Sequence, residues 1–136
     1  MSNKIQFNKN YYKELVALHK YANNNLTSVT VSAIIVTDKG VFKGINFEDA
    51  VCSLSICAER NAIFNAITNG MKKIYEIHLL PTLKGLSMCG ACIQLAYSFG
   101  GPNIKVFNYD LKTKKRTQTT LGKLLPEAAI VKTTRR

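Results

Sequence analysis

Three cysteines and one glutamate carry the chemistry this sequence makes available. Cys57-Ala58-Glu59-Arg60 is followed further along by Cys89-Gly90-Ala91-Cys92. Three soft thiolates can hold one zinc ion and leave its fourth position to water, which separates a catalytic zinc site from a closed structural one. Glu59 stands two residues after the first thiolate, within reach of that water and not needed as a ligand. A lone C-x-x-C is ambiguous between a redox pair and half a zinc ribbon. Here the ribbon's second pair is absent, and a single upstream cysteine carries an adjacent acid instead. Such a donor set suits metal-assisted hydrolysis.

The spacing dictates which elements must position these groups. Cys89 and Cys92 are three apart, so on a helix they share a face and can share an ion. Cys57 and Glu59 are two apart and would diverge by about 200° inside a helix. They converge only at a helix start, projecting around its end. Both cysteine segments then aim helix N-termini at the site, whose partial positive charge favours thiolate over thiol. Three thiolates on Zn²⁺ leave a formal negative charge, and Arg60 is placed to donate to a thiolate and offset it.

The rest of the chain alternates strands and helices. An amphipathic helix is predicted near residues 9 to 22, with Tyr11, Leu15 and Leu18 on one face, broken by Asn23-Asn24-Asn25. Val29 to Val36 reads as a buried strand, Asp38-Lys39-Gly40 as a turn, and Val41 to Phe47 as the hairpin partner. A helix should run from Cys57 to Asn69, with Ile63, Ala66 and Ile67 inward and Gly70 as its stop. Ile74 to Leu80 is a third strand ended by Pro81. The second cysteine pair opens a helix to about Ser98, closed by Gly100-Gly101-Pro102. Ile104 to Asn108 and Thr117 to Thr120 are the last strands, with a short helix near Leu121 to Leu125. This order predicts an α/β fold, a three-layer α/β/α sandwich around a mixed five-stranded sheet. Residues 1–136 read as one domain with a basic tail from about 127 to 136.

Gly44-Ile45-Asn46-Phe47-Glu48-Asp49-Ala50, leading into Ile56-Cys57-Ala58-Glu59-Arg60, resembles the cytidine deaminase family. That family reads G-x-N-x-E-N-A, then T-x-C-A-E-R, then S-P-C-G-x-C-R-Q. An acid beside the first ligand followed by C-x-x-C is the general signature of zinc-dependent nucleobase deaminases. Leu124-Leu125-Pro126 resembles the family's terminal L-L-P, so the likeness covers roughly residues 10 to 126. It implies hydrolysis of cytidine or deoxycytidine to the uracil nucleoside with release of ammonia, as in pyrimidine salvage. Cys57, Cys89 and Cys92 would hold one Zn²⁺ per subunit, with Arg60 bonded to a thiolate. Glu59 would carry a proton from water to N3 of the base, the oxygen would add at C4, and the same carboxyl would help protonate the departing amine.

Asn46 and Glu48, two apart on a strand, present an amide and a carboxylate to one face. They suit the hydroxyls of a ribose, and the family places sugar-binding residues there, so a nucleoside is expected rather than a free base. Backbone groups of Ala58 and its neighbours would read the base edge, as in the family. Three-cysteine members resemble one another in forming homotetramers with sites near subunit interfaces, and the same is expected here.

The chain also departs from the pattern. The aromatic followed by P-V-G-A becomes Thr27-Ser28-Val29-Thr30-Val31-Ser32-Ala33, and a Tyr becomes Cys52. The proline before Cys89 is Met88, the arginine after Cys92 is Ile93, and Gly-Ala-Phe after L-L-P is Glu127-Ala128-Ala129. Missing pocket aromatics keep a different cytosine nucleoside, such as blasticidin S, as an alternative. A polynucleotide deaminase is a second alternative. A closed Cys₄ zinc module using Cys52 is the third, although Cys52 reads better as a small buried apolar residue.

Composition adds bounds. The 136 residues carry a net charge of +11, which favours contact with phosphates. Lys112, Lys114, Lys115 and Arg116 form one cluster, and Lys132, Arg135 and Arg136 another. No aromatics interleave with them as a stacking platform requires, so a solvated loop and tail are expected and nucleic acid is not favoured as a partner. No apolar run approaches a membrane span and no signal segment follows the start, so a cytoplasmic location is expected. Four cysteines then read as ligands rather than disulfides. His19 and His78 are assigned to packing, and Leu26, Phe42 and Phe64 to the core.

Overall fold

Val31–Thr37 (β2) is rich in β-branched residues and buried along almost its whole length, as a strand covered on both faces must be. Gly40, at φ +109°, turns the chain back into Gly40–Ile45 (β3), antiparallel to β2. Our computed structural model describes residues 4–24 and 26–130. Asn25, Lys132, Arg135 and Arg136, and with them the end of the basic tail, lie outside the described residues.

The chain order begins with helix Tyr12–Leu18 (α1), a single 3₁₀ turn, and the short strand Asn23–Asn24 (β1). After β2 and β3 come Phe47–Glu48 (β4), helix Ala58–Thr68 (α2), strand Ile74–Pro81 (β5) and helix Gly90–Tyr97 (α3). Lys105–Tyr109 (β6), Arg116–Thr120 (β7) and the single turn Leu121–Leu124 (α4) complete it. The main sheet has five strands in the order β3-β2-β5-β6-β7. Only β5 and β6 pair in parallel, so the sheet is mixed as expected. β1 and β4 make a separate parallel pair.

Each face of the sheet has its own core, and the two together give the expected α/β/α layers. On one side Ala33, Ile35, Ile77, Leu79 and Val106 pack with Ala62, Ile63 and Ala66 of α2 and Ile93 and Ala96 of α3. On the other, Ile34, Val36, Leu80 and Phe107 pack with Tyr11 and Leu15 beside α1. Gly44 sets how closely β3 meets α2. A Cβ there would lie 2.4 Å from the Ala58 carbonyl and 2.5 Å from the Ala62 nitrogen.

The second core encloses polar groups. Glu76 and His78 are buried, and His78 Nε2 lies 2.9 Å from Glu76 Oε1. His78 Nδ1 lies 2.9 Å from the Tyr109 hydroxyl. That hydroxyl accepts from the Tyr11 amide at 3.1 Å and from Arg116 at 3.0 Å. Arg116 also donates to the carbonyls of Asn8 and Lys9, while the Asn8 amide donates to Glu76 Oε2. A neutral imidazole carrying its proton on Nε2 satisfies every member once, and this assignment rests on the network. Burial holds the His78 pKa below its usual value.

Several expectations are corrected. α1 starts at Tyr12, not near residue 9, because Asn8 is left-handed (φ 60°) and Asn10 Oδ1 accepts from the Tyr12 amide. Leu26 and Phe64 are 57% and 49% exposed and not core. Phe42 packs at the core's margin, and Ile67 faces outward. Cys52 is exposed on the 3₁₀ turn Cys52–Leu54, not buried. His19 bonds the Leu80 carbonyl at 2.8 Å. No helix among the described residues is long and apolar enough to cross a membrane.

Candidate active site

Cys57 and Cys89 occupy the N-cap positions of α2 and α3, each with extended backbone and no side-chain cap bond. Their sulfurs are thus free of the helix-capping role, with Arg60 bonded to one and Cys92 beside the other. Cys92 enters from the first turn of α3, and the Sγ atoms of Cys57, Cys89 and Cys92 lie within 4.8 Å of one another. Three sulfurs on one tetrahedral zinc, each at about 2.3 Å, stand roughly 3.8 Å apart. Here Cys57 and Cys89 are 3.8 Å apart, and Cys89 and Cys92 3.4 Å, so the donor set fits the ion. Cys52 is not in the cluster, which removes the basis for a closed Cys₄ site.

One thiol of the cluster is poised to ionise. Hydrogen bonding from Cys92 pulls the Cys57 pKa down to about 5, helped by Arg60 and Cys89. Cys92 moves strongly up, through its bond to Cys57 and its burial. The pair therefore holds one negative charge readily and the next only against a cation, the behaviour of a metal-binding set. Arg60 Nη2 donates to Cys57 Sγ at 3.6 Å, and its buried Nε has no hydrogen-bond partner.

Glu59, the second residue of α2, is 4% exposed. Burial lifts its pKa to about 7, and the Cys57 charge adds to the rise. It borders a cavity of about 150 Å³ shared with Cys57, Cys89, Ala58, Asn46 and Glu48. The remaining wall is aliphatic: Val29, Val31, Leu79, Pro81 and Leu86, with Ser87. Among the described residues, no aromatic side chain lines it. The volume falls below the 300–1,000 Å³ or so of drug-sized sites, and suits a single planar ring with its substituent at the mouth.

Asn46 does more local work than its spacing suggested. Its Oδ1 accepts from the Val31 amide at 2.8 Å and its Nδ2 donates to the Val29 carbonyl at 3.0 Å. Glu48 Oε1 lies 3.5 Å from that nitrogen, the longest of the three contacts. Asn46 thus clamps the segment that forms the aliphatic wall, and Glu48 is the acceptor left at the rim. The wall residues themselves escaped the sequence reading. Leu79 and Pro81 carry no chemical signal, being apolar residues at the end of a strand. The one clue was general, that ligands gather at strand ends.

The sequence pattern described as the cytidine and deoxycytidylate deaminase zinc-binding region matches residues 5–108. A cytidine deaminase of Sporosarcina psychrophila is 33% identical over 98 residues, 71% of this chain and 71% of its own length. A probable cytidine deaminase of Dictyostelium discoideum is 33% identical over 110 residues, 79% of this chain and 73% of its own. The crystal structure of cytidine deaminase from Burkholderia pseudomallei superposes with a TM-score of 0.79 at 31% identity. It covers 87% of this chain and 95% of the other. Sequence pattern, relatives and fold agree with the thiol cluster, and the chain belongs to the cytidine and deoxycytidylate deaminase family.

Proposed function

We propose that this protein hydrolyses cytidine and deoxycytidine to uridine and deoxyuridine, releasing ammonia. The observation that carries the reading is the buried Glu59 carboxyl, which lines one pocket with Glu48 and with Cys57 and Cys89 of the three-thiol cluster. Cys57, Cys89 and Cys92 would hold the zinc, which when bound makes water acidic enough to attack near neutral pH. Arg60 offsets the thiolate charge through Cys57.

Glu59 takes a proton from the attacking water and delivers it to N3 of the base. The water oxygen forms a bond to C4, and the second proton follows through the same carboxyl to the amino nitrogen, which leaves as ammonia. A group titrating near neutrality serves both transfers well. Ala58 opens α2, and its amide has no partner within the helix, so it meets the base edge. Val29, Val31, Leu79 and Leu86 hold the ring and exclude water. Glu48 accepts from a sugar hydroxyl, while Asn46 holds the strand segments that place it.

We further propose one domain across residues 1–136, a homotetramer in the cytoplasm, and a role in pyrimidine salvage. The test is ammonia release from the zinc-loaded protein given cytidine, with Glu59→Gln beside it. Release that vanishes in a variant still holding zinc supports the reading, and equal release from both sinks it.

A further inference from the structure

A second, larger cavity of about 460 Å³ lies beside the candidate active site. Its walls come from the turn between β6 and β7 and from the segment after β5, and Pro81 borders both cavities. The 82–88 segment is the partition. Leu86 and Ser87 face the first cavity, and Thr82, Lys84 and Gly85 the second. Asn108 tethers that partition by donating to the Leu86 carbonyl at 2.9 Å.

The second cavity is cationic. Lys84, Lys112, Lys115 and Arg116 line it against one carboxylate, Asp110. The Asp110 carboxylate caps its own turn, accepting at Oδ1 from the amides of Lys112 and Thr113 at 2.8 Å and 3.1 Å. Among the described residues, none of the three lysine ammonium groups has an acidic partner within ion-pair distance. Arg116 borders the cavity too, with its guanidinium held by two backbone carbonyls and the Tyr109 hydroxyl. Three lysines on the lining of one concave space, with Asp110 as the carboxylate that interacts with Lys84 and Lys112, make a site suited to a multiply charged anion. Sequence alone suggests only a solvated loop here, because Lys84 lies far from the others in the chain.

We propose that this cavity binds a small polyphosphate anion, the class of inorganic triphosphate and the triphosphate group of a nucleotide. A nucleic-acid strand fits it less well. The cations gather at one concave space, from the β6–β7 hairpin and the segment after β5, rather than follow a groove. Tyr109, the one aromatic in the lining among the described residues, is 2% exposed and offers no face for a base to stack on.

The test is calorimetric titration of the full, zinc-loaded chain with inorganic triphosphate at physiological salt. Saturable binding of one anion per chain is expected, weakened about tenfold or more by K112E/K115E. K39E/K72E makes the same change of charge at the other end of the sheet and should leave the affinity within about twofold. No saturable binding overturns the proposal. So does binding unchanged in K112E/K115E, which would mark chelation of zinc, and so does equal weakening by both variants. Affinity for a nucleoside triphosphate equal to or above that for inorganic triphosphate supports it. Single-stranded oligonucleotides that bind more tightly than triphosphate, and increasingly so with length, would overturn it in favour of a nucleic-acid surface. None of these readouts depends on cytidine turnover, so the assignment of the active site can fail without deciding this one.

Discussion

Glu59 and Glu48 are both carboxylates on the candidate active-site cavity, and their surroundings differ. Glu59 is buried against the thiols, and its replacement by Gln should lower kcat by about 10²–10⁴-fold, the range of general acid–base contributions, with zinc content unchanged by atomic absorption. Glu48 stands at the rim, so Glu48→Gln should raise KM for cytidine with little change in Tm. Asn46→Ala should behave differently. It removes the side-chain acceptor of the Val31 amide, and loss of a buried hydrogen-bond partner destabilises by about 1–3 kcal/mol, so Tm should fall along with activity. The cysteines and Glu59 were legible in sequence because their chemistry tolerates few other residue types at that spacing. The clamp made by Asn46 was not, since an amide two residues from a carboxylate does not reveal which backbone groups it will meet.

At the scale of elements, the site depends on where two helices begin. Cys57 and Cys89 are the caps of α2 and α3, so any shift of a helix start moves a ligand. Gly44 fixes α2 against β3, and Gly44→Ala would drive a methyl into the Ala58 carbonyl and the Ala62 nitrogen. Overpacking of this kind costs about 1–3 kcal/mol. We expect a lower Tm and weakened zinc retention on dialysis against a mild chelator, although no ligand has been changed. Helix and strand types were legible from periodicity and from Gly and Pro punctuation. Ends were less so. The start of α1 was set by a left-handed Asn8, and the exposure of Phe64 and Ile67 by how narrow a stripe of α2 the sheet covers.

At the scale of the whole molecule, two cores on opposite faces of one sheet answer different needs. One seats the zinc-binding helices, and the other holds the Glu76–His78–Tyr109–Arg116 network. Burial depresses the His78 pKa, so the unfolded chain takes up a proton before the folded one as pH falls. Stability from this group is therefore present above the unfolded value of about 6.5 and is lost as pH drops through the folded one. Tm should be lower at about pH 5.5 than at about pH 7.5, and His78→Gln should reduce that difference while lowering Tm throughout. The layered class was legible from the alternation of elements, whereas the parallel pairing of β5 with β6 was not, because nothing local in either strand encodes its neighbour.

The same network spans the chain from near its start to near its end. Tyr11 reaches Tyr109 across 98 positions and Arg116 reaches Asn8 across 108. During synthesis His78 emerges from the ribosome well before Tyr109, whose hydroxyl meets its Nδ1. A nascent chain halted short of Tyr109 would carry an imidazole with one ring nitrogen lacking that partner. The α1 side of this enzyme is therefore closed by the β6–β7 hairpin, which is made well after the strand it completes.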